Sequence, residues 1–278
     1  MRAGEGRWGG WRQPVAIGVS VAFLLPLWFM LSGSLREPGT APPRSPELVP
    51  RPLSATSYGD AFGLVDFARH TVNSVIVAVL TVPPAVLVAS LAGFALLLVA
   101  GRARRVVIAL SFAALMVPAT ALLVPRFALF RWLGLTDTWV PLIAPALLGL
   151  SPFYVLLFYW SFRRLPRELL EAARLEGMQP FAMWRRVAMP LVRPVTVAVA
   201  LLVFIASWGN LLDPLIYLFD SDLYTLPLGL RSLSSLDRTN YPVLLAGAVV
   251  ATAPVVAAFA VAQRFFFHGD RGAGWLGR

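Results

Sequence analysis

The sequence predicts an all-α polytopic membrane protein with six transmembrane helices. Of its 278 residues, 58% are hydrophobic and only 14% are charged, whereas soluble domains carry about a quarter charged residues. A spanning helix needs roughly 20 apolar residues, and six windows supply them. These windows are Pro14–Leu35, Thr71–Val99, Val106–Leu129, Trp139–Phe162, Val195–Phe219 and Pro242–Phe267.

The distribution of charge predicts the orientation of these spans. The net charge of +10 is typical of nucleic-acid binding only when it lies on a soluble domain. If the N-terminus lies inside the cell, the segments on the inner side contain 16 arginines and 5 acidic residues. The segments on the outer side then contain 8 arginines and 9 acidic residues. Cytoplasmic loops of membrane proteins carry such an excess. We therefore expect both termini in the cytoplasm, a lipid bilayer as surroundings and no nucleic-acid partner.

Missing residue types exclude several kinds of chemistry. The chain has no cysteine, so it cannot form a disulfide or a thiolate metal site. All 24 cationic residues are arginine, and a P-loop needs a lysine to reach the phosphates. The two histidines, His70 and His268, are expected on opposite membrane sides. We expect no catalytic residues, no metal site and no cofactor; any ATP hydrolysis requires a separate subunit.

The predicted spans divide the chain into one transmembrane domain with a tail at each end. Residues 1–13 read as a basic cytoplasmic tail, followed by a transmembrane domain over 14–267 and a second cytoplasmic tail, 268–278. The first span is longer than the core of a signal peptide and no small-x-small cleavage site closes it, which favours an uncleaved span. The external loop 36–70 opens with a proline-rich strap and is expected to continue as a surface helix over 57–69.

Prolines and arginines interrupt the next two spans. Pro83 and Pro84 lie in the middle of the second span and predict a bend or break there. Arg126 and Arg131 follow Pro118 and Pro125 near the end of the third. We interpret these arginines as anchors whose charged ends reach the membrane surface, with contact to an external acidic partner as the alternative.

The polar segment Arg163–Arg193 separates the fourth and fifth spans. Pro166 and Gly177 predict the start and end of a short helix, on which Arg167, Glu171 and Arg174 share one side. Leu165, Leu169, Ala172 and Ala173 are expected on an apolar side. A second helix is predicted over 181–189, opening at Pro180 and stopping before Pro190.

This segment carries a spaced motif. Glu171-Ala172-Ala173 is followed by three residues, Gly177, nine residues and Val187-Ala188-Met189-Pro190. The pattern resembles the EAA loop of membrane subunits of binding-protein-dependent ATP-driven (ABC) importers, which ends in Ile-x-Leu-Pro. The resemblance implies a type I ABC importer transmembrane domain in a bacterial inner (plasma) membrane, whose cytoplasmic coupling helix docks into an ATPase subunit. It assigns this coupling to Glu171, Ala172, Ala173, Arg174, Gly177 and Pro190.

The fifth span carries polar residues on one side. Polar groups are costly in lipid and usually face the helix bundle or a solute pathway. We expect Trp208 to be available for stacking on a sugar ring. Packing between helices through hydrogen bonds is the alternative. The candidates for the translocation path are Ser207, Trp208, Asn210 and Asp213.

The external loop 220–241 extends the resemblance. Its block Tyr224-Thr225-Leu226-Pro227, after Trp208-Gly209-Asn210, resembles the carbohydrate-importer branch, namely the second permease subunit of maltose-type importers. Gly209 and Asp213 depart from the family's usual Trp-Asn-Asp-Phe-Leu-Trp-Pro-Leu, so the sugar is not specified. The resemblance implies that Tyr224, Thr225, Leu226 and Pro227 reach toward a solute-binding protein outside the cytoplasm.

Three functions remain open at this point. The first is a permease subunit of an ATP-driven importer of a sugar or oligosaccharide, paired with a second homologous permease and working by alternating access. The second is a permease subunit of the same type of ATP-driven importer, with a polyamine, phosphate or sugar phosphate as the solute. The third is a self-sufficient ion-coupled carrier or channel. Such a carrier usually needs an ionisable residue inside the bilayer, and the predicted span cores have none before Asp213, which counts against this function.

Overall fold

The computed structural model describes residues 9–43, 45, 47–99, 101–148, 151–236 and 240–267, and these contain helices but no strand. The chain divides into two compact units. The first comprises Met1–Ala68 and Gly229–Ala253, and the second comprises Arg69–Leu228 and Pro254–Arg278. The predicted C-terminal tail 268–278, with His268, and residues 1–8 of the predicted N-terminal tail lie outside the described residues.

Helices α1 (Gly9–Ser34) and α2 (Thr56–Leu64) belong to the first unit. Helix α1 begins at Gly9, so residues 9–13 of the predicted tail are helical, and the first candidate span covers residues 13–34. The loop after α1 is fixed by its own contacts: Trp28 Nε1 donates to the Leu48 carbonyl at 2.9 Å, and Ser34 Oγ lies 2.8 Å from the Tyr58 hydroxyl. The predicted surface helix 57–69 ends at Leu64, since Val65 is extended (φ −139°, ψ 149°).

Helix α3 (Phe67–Leu98) runs through Pro83 and Pro84 without a break. Of the bend or break expected at these prolines, the break is therefore wrong. Each proline lacks a backbone N–H and therefore removes one hydrogen bond of the helix. Spanning helices tolerate that loss where neighbouring helices and local adjustments satisfy the freed carbonyl.

The third predicted span, Val106–Leu129, is not one straight helix. Helix α4 (Gly101–Leu115) ends before Pro118, whose backbone is extended (ψ 130°), and a short 3₁₀ turn leads into α5 (Leu123–Trp132). The two halves are bent by 87°. Pro118 disfavours helical backbone at the residue before it, which explains where the helix stops.

The remaining helices continue in chain order. They are α6 (Val140–Leu147), α7 (Pro152–Arg163), α8 (Arg167–Leu175), α9 (Pro180–Leu191), α10 (Arg193–Trp208), α11 (Leu212–Tyr217), α12 (Leu226–Leu236) and α13 (Tyr241–Phe267).

The number of membrane spans depends on how two bent pairs are counted. Four stretches are long and apolar enough to cross a bilayer: residues 13–34, 67–98, 140–163 and 241–265. The α4–α5 and α9–α10 pairs, each bent by 87°, bring the number to six if each pair is one span. The predicted fifth window, Val195–Phe219, is itself interrupted after Trp208, where α10 ends at Gly209. The polytopic all-α fold is confirmed, and the six-span count holds only with the bent pairs included.

The core of the second unit joins α3, α7, α9 and α10. Helices α3 and α7 approach closely at Gly93, where an added Cβ would lie 2.8 Å from Phe158 Cβ and 2.9 Å from Tyr159 N and Val155 O. Next to it, the rings of Phe94 and Phe162 meet edge to face at 5.5 Å. Gly93 is therefore required for the contact between these two helices.

Candidate coupling segment and translocation cavity

The EAA segment, defined here as Arg163–Arg193, contains a helix with well-formed ends. Helix α8 begins after Pro166, whose ψ of 131° is not helical, and it has Glu168 in its first turn and Arg174 in its last. These charges suit the helix macrodipole. At the other end Gly177 has φ +77°, its N–H donates to the Arg174 carbonyl, and the Met178 N–H donates to the Ala173 carbonyl, both at 3.0 Å. Two such bonds closing over a left-handed glycine form a Schellman motif.

Gly177→Ala is expected to open the end of α8. Nothing lies within 4 Å of an added Cβ, so the cost is conformational and amounts to about 1–2 kcal/mol for a left-handed non-glycine residue. Amide exchange at residues 177 and 178 should accelerate about fivefold to thirtyfold. Gly59→Ala is the matched control, because Gly59 lies inside α2 without a close neighbour and alanine favours helix there. Unchanged exchange at residue 178 in Gly177→Ala would contradict this account of the helix end.

Helix α9 does not stop before Pro190, contrary to the sequence-based expectation. A π-helical turn over Trp184–Ala188 widens it, and the Met189 N–H donates to the Trp184 carbonyl, five residues back. Pro190 follows directly after this turn, within Met189–Leu191, and as a proline it has no backbone N–H to donate to the turn. The helix therefore continues to Leu191 and meets α10 at the 87° bend.

Helix α8 presents its charges outward. Arg167, Glu171 and Arg174 are all exposed, as the spacing predicts. No described residue forms an ion pair with Glu171. The predicted apolar side is only partly right, because Leu165 and Ala173 are buried whereas Leu169 and Ala172 are exposed. Leu170 packs against the core instead, since it lies three residues from Ala173 and shares its side of the helix.

The EAA segment is anchored in the core of the second unit. The side chain of Met183 is 2% exposed and that of Ala188 is 0% exposed. Leu165, Ala173, Met183, Trp184, Ala188 and Val192 belong to one apolar cluster with Phe158 and Phe162 of α7 and Val199 and Val203 of α10. Helices α8 and α9 are therefore packed directly against α7 and α10.

A cavity of about 250 Å³ lies among the helices of the second unit. Three of the four predicted path residues, Ser207, Asn210 and Asp213, line it together. Val203 and Pro214, which share their side of the fifth span, line it too. The other polar residues of the lining are Thr81, Arg126, Ser151 and Tyr154.

A polar network surrounds Asp213. Its Oδ1 lies 3.5 Å from Nη1 of Arg126, and its Oδ2 accepts a hydrogen bond from Asn210 Nδ2 at 2.9 Å. The Asp213 N–H in turn donates to Asn210 Oδ1 at 3.2 Å. The interpretation of Arg126 as an anchor at the membrane surface is wrong, because its side chain is only 25% exposed and lines the cavity. The α4–α5 bend turns Arg126 toward Asp213. Pro118 marks where α4 stops, but the proline alone does not indicate the direction in which the chain turns.

Trp208 does not line this cavity. Its side chain is 4% exposed and its ring lies 5.4 Å from that of Phe204. Both face an apolar groove between α3, α10 and the second half of α13. The prediction that Trp208 stacks on a solute in the path finds no support in this position.

The external block 224–227 is held against the start of α3. Asn73 Nδ2 donates to the carbonyls of Asp222 and Tyr224, at 2.8 and 2.9 Å, and the Leu226 N–H donates to Ser74 Oγ at 2.7 Å. Thr225 is 5% exposed and Leu226 is 0% exposed, so their assignment as contacts for a binding protein is corrected. Tyr224 and Pro227 are partly exposed.

Asp137 fixes the connection between α5 and α6 to residues 217–220. Its backbone adopts φ +59°, and its N–H donates to the Tyr217 carbonyl at 2.7 Å. Its Oδ1 accepts from the N–H groups of Asp220 at 3.0 Å and Phe219 at 2.9 Å. These two hydrogen bonds, that of Asp220 first, hold the pKa of the Asp137 carboxyl below its ordinary value.

The depressed pKa of Asp137 predicts the pH dependence of this connection. A lowered pKa in the folded state stabilises the protein above the unfolded value of about 3.9, and that stability is lost as the pH falls through the folded value. The difference in thermal midpoint between wild type and Asp137→Asn should therefore stay constant from about pH 5 to 8. It should shrink below about pH 4. A difference that changes between pH 5 and 8 would assign the effect to another group.

Comparison with known proteins identifies the family. Residues 53–272 match the model of the binding-protein-dependent transport system inner membrane component. The chain belongs to this family. The permease is 31% identical over 255 residues to the arabinooligosaccharides transport system permease protein AraQ of Bacillus subtilis, covering 90% of each chain. It is 29% identical to the trehalose transport system permease protein SugB of Mycobacterium tuberculosis, over 87% of this chain and 88% of that one.

Further comparisons agree on the fold. The permease is 31% identical to the lactose transport system permease protein LacG of Rhizobium radiobacter, over 76% of this chain and 77% of that one. It also superimposes on a chain in the crystal structure of a bacterial ABC transporter involved in the import of the acidic polysaccharide alginate. The TM-score is 0.75 with 22% identity, covering 96% of this chain and 99% of that chain. The type I ABC importer fold implied by the EAA motif is therefore confirmed.

Proposed function

We propose that this permease is one of two membrane subunits of an ATP-driven, binding-protein-dependent importer of sugars or oligosaccharides. The observation that carries the proposal is the EAA segment. It offers an exposed charged helix, with Glu171 unpaired among the described residues, on a base that is buried in the core. The sugar class is supported by relatives named for arabinooligosaccharides, trehalose and lactose.

In the proposed mechanism, α8 docks into a separate ATPase subunit on the cytoplasmic side. Closure of two ATPase subunits moves the EAA segment, and the buried contacts of Met183, Trp184 and Ala188 carry that movement to α7 and α10. The cavity beside Ser207, Asn210 and Asp213 then opens alternately to the two sides. A second homologous permease completes the pathway, and both termini face the cytoplasm.

A solute-binding protein delivers the solute on the other side of the membrane. Tyr224 and Pro227 are the proposed contacts that remain from the predicted block. The exposed residues Asp220, Ser221 and Asp222 adjoin them, and they extend the surface on which a partner could rest.

Uptake into proteoliposomes tests this function. The permease, purified with its copurifying subunits, should accumulate a labelled sugar from a panel of arabinotriose, trehalose and lactose only when ATP is enclosed with the ATPase and the binding protein is present. Uptake that needs no ATPase and follows an ion gradient would establish an ion-coupled carrier. If the reconstituted protein takes up a polyamine, phosphate or sugar phosphate with ATP but none of the sugars, it is an ATP-driven importer of a different solute.

A further inference from the structure

The cavity of the second unit contains one positive and one negative side chain whose charges balance. Arg126 and Asp213 are the charged residues of its lining. Their side chains are 25% and 17% exposed; Arg126 lies on α5, one half of the bent α4–α5 pair, and Asp213 lies on α11, just beyond the end of α10. Charged groups that are partly buried in a membrane protein are costly and often mark functional sites. The nearest charged atoms of the pair are 3.5 Å apart, which is longer than the roughly 2.7–2.9 Å of a charge-assisted hydrogen bond.

Several polar groups of the lining retain unused hydrogen-bonding capacity. The Arg126 guanidinium has five N–H donors, and its hydrogen bond within the described residues is a long one, 3.4 Å from Nη2 to the Pro141 carbonyl. The Thr81 side chain is 6% exposed, and its Oγ1 is buried without a hydrogen-bond partner among the described residues. A buried hydroxyl without a partner costs about 1–3 kcal/mol. The cavity therefore presents polar groups to whatever fills it.

The rest of the lining is apolar. Val77, Ala85 and Ala89 of α3, Leu142 of α6 and Val203 of α10 contribute hydrocarbon. At about 30 Å³ per water molecule, the volume of about 250 Å³ corresponds to about eight waters. One sugar ring occupies a comparable space. A sugar ring also combines hydroxyl groups at its edge with C–H groups on its faces, which matches a lining that is polar in one part and apolar in another.

We propose that this cavity is a subsite for one ring of a neutral sugar, so that this subunit itself contacts the transported solute. The inference rests on the proposed sugar-import function and deepens it. Asp213 accepts hydrogen bonds from ring hydroxyls, and Arg126 and Asn210 donate to them. Thr81 supplies a further hydroxyl. Because the charges of Arg126 and Asp213 cancel, the site favours a neutral ring over a polyamine, a sugar phosphate or an acidic sugar.

The absence of cysteine allows a direct test of access to the cavity. Ala206 lines the cavity and Ala200, on the same helix, lines the apolar groove. In the reconstituted importer, Ala206→Cys should react with a small cationic methanethiosulfonate, and a saturating transported sugar should slow this reaction about tenfold or more. Ala200→Cys should react slowly and without sugar protection. Ser207→Cys, a nearly isosteric change at another lining position, repeats the test if Ala206→Cys does not assemble.

Thr81→Val separates a binding role from a structural one. Loss of one neutral hydrogen bond to the sugar should raise the KM of uptake about threefold to tenfold, with the thermal midpoint unchanged or higher because an unpaired buried hydroxyl is removed. Thr196→Val is the matched control, since its hydroxyl donates to the Val192 carbonyl at 3.2 Å and is not part of the lining. Its KM should stay at the wild-type value.

The two experiments distinguish failure of the subsite from failure of the function. ATP-dependent sugar uptake with neither protection of Ala206→Cys nor a KM change in Thr81→Val would overturn the subsite and leave the proposed function intact. Uptake of acidic or cationic solutes in preference to neutral sugars would overturn both the neutral-ring inference and the sugar assignment. A sugar that is transported, protects Ala206→Cys and loses affinity in Thr81→Val supports both.

Discussion

Glu171→Lys is expected to abolish ATP-driven uptake while the permease still assembles in the membrane. Glu171 is exposed on α8 between Arg167 and Arg174, one turn away on each side. The change replaces the carboxylate of this surface by a third cation, which like-charge repulsion disfavours. Removing a charged partner at a protein interface typically costs 2–5 kcal/mol, which corresponds to a loss of affinity of roughly thirtyfold or more. The ATPase subunit should no longer copurify, and sugar uptake should fall by at least the same factor.

Glu176→Lys provides a matched control for this prediction. Glu176 is exposed and undergoes the same change of charge, but it caps the C-terminal end of α8, where a cation suits the macrodipole. It lies five residues from Glu171, on a different side of the helix. Glu176→Lys should retain most of the ATPase. If both variants lose the ATPase equally, net charge and not the position of Glu171 determines docking.

Gly93→Ala is expected to destabilise the core of the second unit. The added Cβ would lie 2.9 Å from two backbone atoms of α7, and backbone cannot move aside as a flexible side chain can. Overpacking of this kind costs about 1–3 kcal/mol. For a chain of this size, the thermal midpoint of the detergent-solubilised protein should fall by several degrees, at about 2–4 °C per kcal/mol.

The effect of Gly93→Ala should also reach the EAA segment. Phe158 packs in the same cluster as Met183, Trp184 and Ala188, so displacing α7 loosens the base of α9. Gly18→Ala in α1 is the control, because nothing lies within 4 Å of an added Cβ there. A midpoint for Gly93→Ala that equals that of Gly18→Ala would show that α3 and α7 are not in close contact.

Local signals in the sequence predicted both ends of α8 in the EAA segment. Pro166 and Gly177 act through their own backbone preferences, so the ends of α8 follow from the residues at those positions. The continuation of α9 through Pro190 did not follow, because a π-helical turn is a response to packing and has no residue pattern of its own. Likewise, which of Leu169 and Leu170 packs against the core depends on how α8 is rotated against α7 and α9.

The cavity was only half predictable. Polar spacing on one side of a helix identifies Ser207, Asn210 and Asp213, since they share a helix face or the turn that follows it. Arg126 is distant in sequence, and its meeting with Asp213 depends on the 87° bend between α4 and α5. Pro83-Pro84 and Pro118 show why such bends resist prediction. Pro83 and Pro84 leave α3 unbroken, whereas α4 ends shortly before Pro118. All three prolines nevertheless lie within apolar stretches.

Labelling of Leu175→Cys tests most directly the claim that ATP-driven force enters through the EAA segment. Leu175 lies at the end of α8 with 90% of its side chain exposed, and the chain offers no other thiol. An impermeant maleimide should label this cysteine in inside-out vesicles and not in intact cells, and the bound ATPase subunit should block that labelling. Labelling from outside intact cells, or labelling from inside that the ATPase leaves unchanged, would contradict the account.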